Sequence, residues 1–395
     1  MQQSELTPDQ GIDFLSYFSV LEDPRQQGKV NYPLEEILLL VLCGVLAGAD
    51  GWVEIQKYRQ KKLHFLRHFL PFENEIPSHD QLGEIFSKLD PEQFQKCFIA
   101  WASSFTGLAG DIVAIDGKTL RRSYQHGGRK GAIHMISAFS SNQRLVLGQR
   151  QVADKSNEIT AIPELLDLLA LEGTIVTIDA MGCQREIADR IIARKADYVL
   201  ALKDNQSTLH DDISTYFEEQ SACNFKDIKV ETHKMIEKSH GRIEMRVYHV
   251  IHDIDWLQKR HNWPGLNSII MVKSEREIDG EVTSETRYYI ASLKLSSKRA
   301  ADAVRGHWSI ENSHHWVLDM VFRDDECRIR KDNAPTNFAA VKHIASNLLR
   351  ATPSKEKHAR QKTYGGLERR LSGTRHSCLK KFTRLPWHIL VLYSR

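Results

Sequence analysis

Apolar positions recur at helical spacing early in the chain and at strand spacing in its middle. Leu34, Ile37, Leu38, Val41, Leu42 and Val45 share one helical face and predict a helix whose first turn suits Pro33. A second helix is expected over 52–69, closed by Pro71, a third from Ser78, which is well placed as a cap, and a fourth after Asp90 and Pro91. Near residue 110 the pattern changes. DIVAID (111–116), AIHMISAFS (132–140), RLVLGQRQV (144–152), TIVTIDAMG (174–182) and DYVLALK (197–203) read as strands, the second and third joined as a hairpin through Ser141, Asn142 and Gln143. Helices over 158–171 and 184–195 separate the later strands. The order β-β-β-α-β-α-β predicts an α/β sheet covered on both faces.

Residues 204–222 again read as helix, and 223–295 as strands with Asp279 and Gly280 as a hairpin turn. Helices return over 297–322 and 337–349. The expected plan is a helical N-terminal domain (1–105), the first part of an α/β core (106–222), a β-rich insertion (223–296), the rest of the core with a final acidic helix (297–350) and a basic tail (351–395).

Composition narrows the class. With 41% hydrophobic and 27% charged residues over 395 positions, the chain is neither disordered nor fibrous. The longest apolar run, 37–47, falls short of the ~20 residues that span a bilayer. The N-terminus lacks the basic and then apolar segments of a secretion signal, so a cytoplasmic protein without a membrane partner is expected. Six dispersed cysteines with no CxxC pair suggest reduced thiols. Net charge is +3, but residues 350–395 hold twelve Lys/Arg against two Glu, which leaves −7 for the rest. A basic tail on an acidic body suits a polyanion, or a simply solvated tail.

Two acids stand out. Asp116 closes DIVAID and Asp179 closes the apolar part of TIVTIDAMG. Strand C-terminal ends are where α/β sheets gather ligands, and two converging carboxylates need a neutralising partner such as a hard divalent cation. Taken singly, each reads equally as a turn former. A third acid, Glu311, shares a helical face with Val304, Trp308, His315 and Leu318, so its carboxylate is expected to point inward against a metal or a base such as Arg305 or Lys118. His307 and His314 flank it seven residues apart, unlike the four-residue spacing of zinc-binding helices. Lys118, Thr119, Arg121 and Arg122 after the first acid, Lys203 and Asn205 after the fifth strand, and His240 and Arg242 in a turn of the β-rich stretch are candidate phosphate contacts or plain loop residues.

These residues lie in motifs of a known family. AIDGKTLRRS, KSNEITAIPELLDLL, TIDAMGCQREIA, DYVLALKDNQ, HGRIE, RYYIASL and HWSIENSHHWVLDMVF occur in the order seen in the DDE transposases of bacterial insertion sequences. With the N-terminal segments DPRQQGKVNYPLEEILLLVLCGVLAGADGWVEI and PFENEIPSHDQLGEIFSKLDPEQF, the chain resembles most closely the H-repeat-associated transposases found beside Rhs elements, over roughly residues 10–350. The resemblance implies an RNase H-like catalytic domain with a β-rich insertion, and a triad of Asp116, Asp179 and Glu311 holding two Mg²⁺ or Mn²⁺ ions. It further implies double-stranded DNA as partner, both element ends and target, and a homodimer or larger synaptic assembly. Arg305, His307 and Asn312, beside Glu311, join the candidate DNA contacts.

The sequence departs from the family at several positions. Related transposases carry a tyrosine and an arginine before the glutamate and a lysine after it; here those places hold Val304, His307 and Leu318, with Arg305 as a substitute. Asp204 stands where the family favours glycine, and an acid there would repel phosphate. Beyond about Leu349 the sequence is unlike the family and has the character of a frameshifted end, which aligning the encoding DNA in other frames would test. The expected function is metal-dependent DNA cleavage and strand transfer. The rivals are a non-mobile, repeat-associated DNA-binding protein with little or no recombination activity, and a general metal-dependent nuclease.

Overall fold

The computed structural model describes residues 14–124, 131–152, 158–239 and 241–351. His240 and residues 352–395 of the basic tail lie outside them, and with them Cys378; the other five cysteines are free thiols.

The helices of the N-terminal part are α1 (Phe14–Phe18), α2 (Leu34–Leu46), α3 (Trp52–Leu66), α4 (His79–Lys88) and α5 (Pro91–Ser103). Their ends obey local chemistry. Ser78 caps α4 in a reciprocal box with Gln81, and Asp90 accepts from the N–H groups of Glu92 and Gln93 ahead of Pro91.

Strands β1 (Ile112–Leu120), β2 (Ile133–Ser140) and β3 (Leu145–Gln151) form an antiparallel meander, followed by α6 (Glu158–Leu168), β4 (Ile175–Ile178), α7 (Arg185–Ala193), β5 (Asp197–Leu202) and α8 (Ser207–Ala222). The β-rich stretch supplies β6 (Val230–Ser239), β7 (Arg242–Ile251), a short α9 (Asp255–His261), β8 (Ser268–Ile278) and β9 (Glu281–Ala291). Asp279 and Gly280 both have positive φ, 50° and 86°, as a two-residue hairpin turn requires. These four strands do not form a separate sheet. β9 pairs antiparallel with β5, so among the described residues one nine-stranded sheet runs β3-β2-β1-β4-β5-β9-β8-β7-β6, with β1, β4 and β5 parallel.

The chain returns as α10 (Ser297–Ser309), a π-helical turn (Ile310–His315), α11 (Trp316–Met320) and α12 (Ala334–Ala351). Helices α6, α7 and α8 cover one face of the sheet, packing Leu166, Ile191 and Phe217 with Val113, Val176 and Leu200. On the other face α10 sets Ala300, Ala303 and Val304 against Ile112, Ile175 and Val199. Burial on both faces explains why β1 and β4 read as continuous apolar runs.

The N-terminal helices share one core with α12, in which Phe98 and Trp101 meet Phe338, Val341 and Ile344, together with Phe139 and Val146 of the sheet. Asn347 ties that core to the sheet. β3 is the edge strand of the sheet, with one extra residue, Leu147, opposite the step from Ala138 to Phe139, so no strand covers the outer side of Val146. Asn347 Nδ2 donates to the Val146 carbonyl at 2.8 Å, and its Oδ1 accepts from the Val146 N–H at 2.9 Å.

Candidate active site

The strand register brings Asp116 and Asp179 together. Ile115 pairs with Ile178 across the parallel strands β1 and β4, so the next residue on each is the acid, with backbones about 4.8 Å apart. The two acids sit in different local structures. β4 ends at Ile178, and Asp179 caps the tight turn Ala180–Gly182, its Oδ1 accepting from the N–H groups of Met181 (3.1 Å) and Gly182 (3.3 Å). β1, expected to end at Asp116, runs on to Leu120 because β2 continues beside it, pairing Asp116 with Ser137. Asp116 therefore lies at the end of the parallel pairing but within its own strand.

Burial is the largest cause raising the Asp116 carboxyl, which reaches about 7; the Gly117 N–H pulls it down, and the carboxylates of Glu311, Glu158 and Asp179 push it up. Three other acids thus act on the Asp116 carboxyl. His315 Nδ1 lies 3.5 Å from Asp116 Oδ2. Burial, with Lys118 next, drives His315 down to about 3, so it stays neutral and leaves the negative charge uncancelled.

Glu311 stands on an irregularity. The π-helical turn Ile310–His315 inserts extra backbone between α10 and α11 and turns Ile310, Ser313 and His314 inward. Glu311 is therefore exposed, which corrects the expectation of an inward carboxylate on a regular helical stripe with Val304, Trp308, His315 and Leu318. It lines a cleft of about 290 Å³ with Asp179, His307, Trp308, Lys203 and Arg287. The Arg287 guanidinium lies 5.1 Å from the Trp308 ring centre and pairs with Glu285 at 2.7 Å. His307 approaches Thr177 Oγ1 at 3.3 Å, and burial holds its pKa below the usual value despite the nearby Asp179.

The other predicted residues scatter. Lys118 is committed to Asp319 at 2.6 Å and Asp325 at 3.5 Å, and Arg121 reaches Asp325 at 3.3 Å. The exposed Arg122 accepts from Arg330 through its carbonyl. Arg305 pairs with Glu237 at 3.0 Å and Arg242 approaches Glu244 at 3.8 Å, so both serve an ionic ladder on the extended sheet. Neither Arg305 nor Lys118 neutralises Glu311. Asn312 is exposed and donates to the Trp308 carbonyl at 3.1 Å. Asn205 Nδ2 donates to the Ala180 carbonyl at 2.7 Å and so grips the Asp179 turn, with Gln206 beside it donating to the Cys183 carbonyl at 3.1 Å.

Sequence reasoning assigned no role to Glu158 or His134. Glu158 opens α6 and its Oε1 lies 2.5 Å from His134 Nε2, while the other ring nitrogen meets Thr119 Oγ1 at 2.9 Å. The signals for Glu158 were its position at the start of a helix and its place in the motif KSNEITAIPELLDLL; the contact itself spans a β-hairpin and is invisible in sequence. The donor set is all carboxylate oxygen, which suits a hard divalent cation. Among the described residues no three His, Cys, Asp or Glu side chains already stand close enough to hold one between them. A cation would have to draw the acids inward.

Residues 108–348 match the family described as Transposase DDE domain, and residues 15–102 match the one described as DDE_Tnp_1-associated. The chain is 44% identical over 343 residues to "Putative transposase YncI" of Escherichia coli O157:H7, covering 85% of this chain and 87% of that one. It is 41% identical over 342 residues to "H repeat-associated putative transposase YhhI" of Escherichia coli strain K12, covering 85% and 89%.

Proposed function

The chain belongs to the DDE transposases, and on that premise we propose that it nicks DNA at the ends of an insertion sequence and joins the freed 3′ ends to a target, with Asp116, Asp179 and Glu311 as catalytic residues. The observation that carries this reading is the register that pairs Ile115 with Ile178 across parallel strands and so sets Asp116 and Asp179 side by side, with Asp179 and Glu311 lining one cleft. The sheet order β3-β2-β1-β4-β5 supports an RNase H-like core, extended by 223–296 as an insertion and preceded by 1–105 as a DNA-recognition domain.

The family generally uses divalent metal ions. Two Mg²⁺ or Mn²⁺ ions would be held here by Asp116 and Asp179, with Glu311 completing one set. When bound they supply an activated water or 3′-hydroxyl and neutralise charge at the phosphate. The chain's own residues do the positioning. The Asp179 turn, gripped by Asn205, and the Gly117 N–H fix the two aspartates. His315, beside Asp116, and His307, lining the cleft with Asp179, are held by burial below the usual imidazole pKa. Lys203 and Arg287 line the cleft as cations facing a phosphate chain. Both nicking and joining are in-line displacements at phosphorus that need no protein nucleophile. Double-stranded DNA is the partner, and pairing two ends calls for a homodimer or synaptic assembly.

The test is a cleavage assay with purified protein and duplexes carrying the flanking repeat ends, in Mg²⁺ or Mn²⁺, beside an Asp179→Ala control. End-specific nicks that the control lacks support the proposal. Nicks that survive in the control overturn it. Binding without nicks points to the non-mobile DNA-binding reading, and nicks without joining to a general nuclease.

A further inference from the structure

We infer that the exposed face of α3 is a docking surface for the DNA duplex backbone, an inference that rests on the DNA-processing function above and names where the helical part engages its substrate. Between Glu54 and Glu73 the chain holds Lys57, Arg59, Lys61, Lys62 and Arg67, two histidines and no acid. Lys57, Gln60, Lys61 and His64 recur at helical spacing and all are exposed. The opposite face buries Ile55 and Leu66.

This stripe is not neutralised within the protein. Arg59 is paired, with Glu75 at 3.0 Å, but among the described residues Lys57, Lys61 and Lys62 make no ion pair. Lys57 and Lys61 stand one helical turn apart and repel each other, an arrangement that weakens a helix unless an anion lies across it. A local rule broken without internal compensation marks a functional surface. Charge complementarity selects a regularly spaced polyanion as occupant, and a duplex backbone presents one.

The helix is also held firmly. Two glycines let it sit close to its neighbours. A Cβ on Gly44 of α2 would lie 3.0 Å from the Ile55 side chain, and one on Gly83 of α4 would lie 3.2 Å from Trp52. A chain of ion pairs links its start to the candidate active site. Asp50 meets Arg323 at 3.5 Å, and two residues on, Asp325 meets Lys118, the second residue after Asp116. Residues 323–325 thus contact both the approach to α3 and the second half of β1.

The experiment is fluorescence anisotropy with full-length protein and a labelled duplex over a salt series. Lys57→Gln combined with Lys61→Gln should raise Kd about tenfold and lower the salt slope by about two. Lys226→Gln with Lys229→Gln, exposed lysines elsewhere, should change neither. Circular dichroism melts that match wild type confirm that the helix is intact. Unchanged affinity and slope in the α3 variant overturn the inference even if nicking is normal. Loss of nicking with α3-dependent binding retained overturns the functional proposal but not this surface. Displacement of the duplex by polyglutamate as readily as by unlabelled duplex assigns the stripe to an acidic protein and overturns the inference.

Discussion

Glu158 occupies the space that a side chain on Gly117 would need. A Cβ built on Gly117 runs into the Glu158 carboxylate and the His134 ring, which are themselves bonded at 2.5 Å. The glycine of the AIDGK motif is thus explained by a close approach, not by a turn: Gly117 pairs with Ile136 inside β1. Gly117→Ala should cost about 1–3 kcal/mol of stability by overpacking. Because Gly117 adjoins Asp116 in β1, nicking should fall far more than stability predicts, on the order of a hundredfold. Thermal melts and the nicking assay on one preparation check this. Wild-type activity in a destabilised variant would show that the Glu158 pair has no bearing on Asp116.

The Asp116 carboxyl gives a pH dependence of definite sign. Burial first, then neighbouring acids, raise it from 3.8 to about 7, so the native state holds this proton more tightly than the unfolded state. Stability from this group is greatest near the lower value and falls as pH rises toward the upper one. In metal-free buffer, Asp116→Asn should therefore raise Tm over wild type at about pH 8, by roughly 2 °C, and give no gain at about pH 4. Saturating Mg²⁺ should close the gap at the higher pH by stabilising wild type alone. A constant Tm difference across the range would show that Asp116 does not titrate as described.

How far the sequence foretold this site depended on how local each feature was. The strands and helices were legible because apolar periodicity is a local signal, and the Asp279 and Gly280 turn because two positive φ angles demand such residues. The length of β1 was not, since its second half exists only because β2 lies beside it. Glu311 was recognised by motif, but its direction was misread: a regular helix was assumed where a π turn intervenes. Lys118 looked like a phosphate contact because its partners, Asp319 and Asp325, lie some two hundred residues away. The extended sheet and the core shared by α12 with the N-terminal helices are likewise long-range pairings that no window of sequence displays.

Asn205 offers a test of positioning. It touches neither Asp116 nor Glu311, yet it holds the Ala180 carbonyl, one residue from Asp179. Asn205→Ala should leave the fold intact, at about 1 kcal/mol less stability for the lost hydrogen bond. It should lower the nicking rate about tenfold while leaving duplex affinity unchanged. Asn205→Asp, which keeps the shape but loses the donor, should behave like alanine. An equal loss of affinity in both variants would instead make Asn205 a direct DNA contact.

Lys342 and Asp324 form a fully buried ion pair at 2.7 Å, with side chains 2% and 5% exposed. Burial opposes both charges, yet each holds the other in its charged form: the Lys342 ammonium sits above its usual range and the Asp324 carboxyl below. Such a pair adds little net stability over an apolar substitute, but half of it is costly. Lys342→Met should strand Asp324 and destabilise the protein by about 3–5 kcal/mol. Adding Asp324→Leu to it should recover much of that loss. Because the pair lies between α12 and the loop that carries Asp325, the single variant should also loosen Lys118 and depress nicking, and the double variant should restore part of it. Denaturation curves of the two singles and the double decide the matter: additive losses would mean that the charges do not depend on one another.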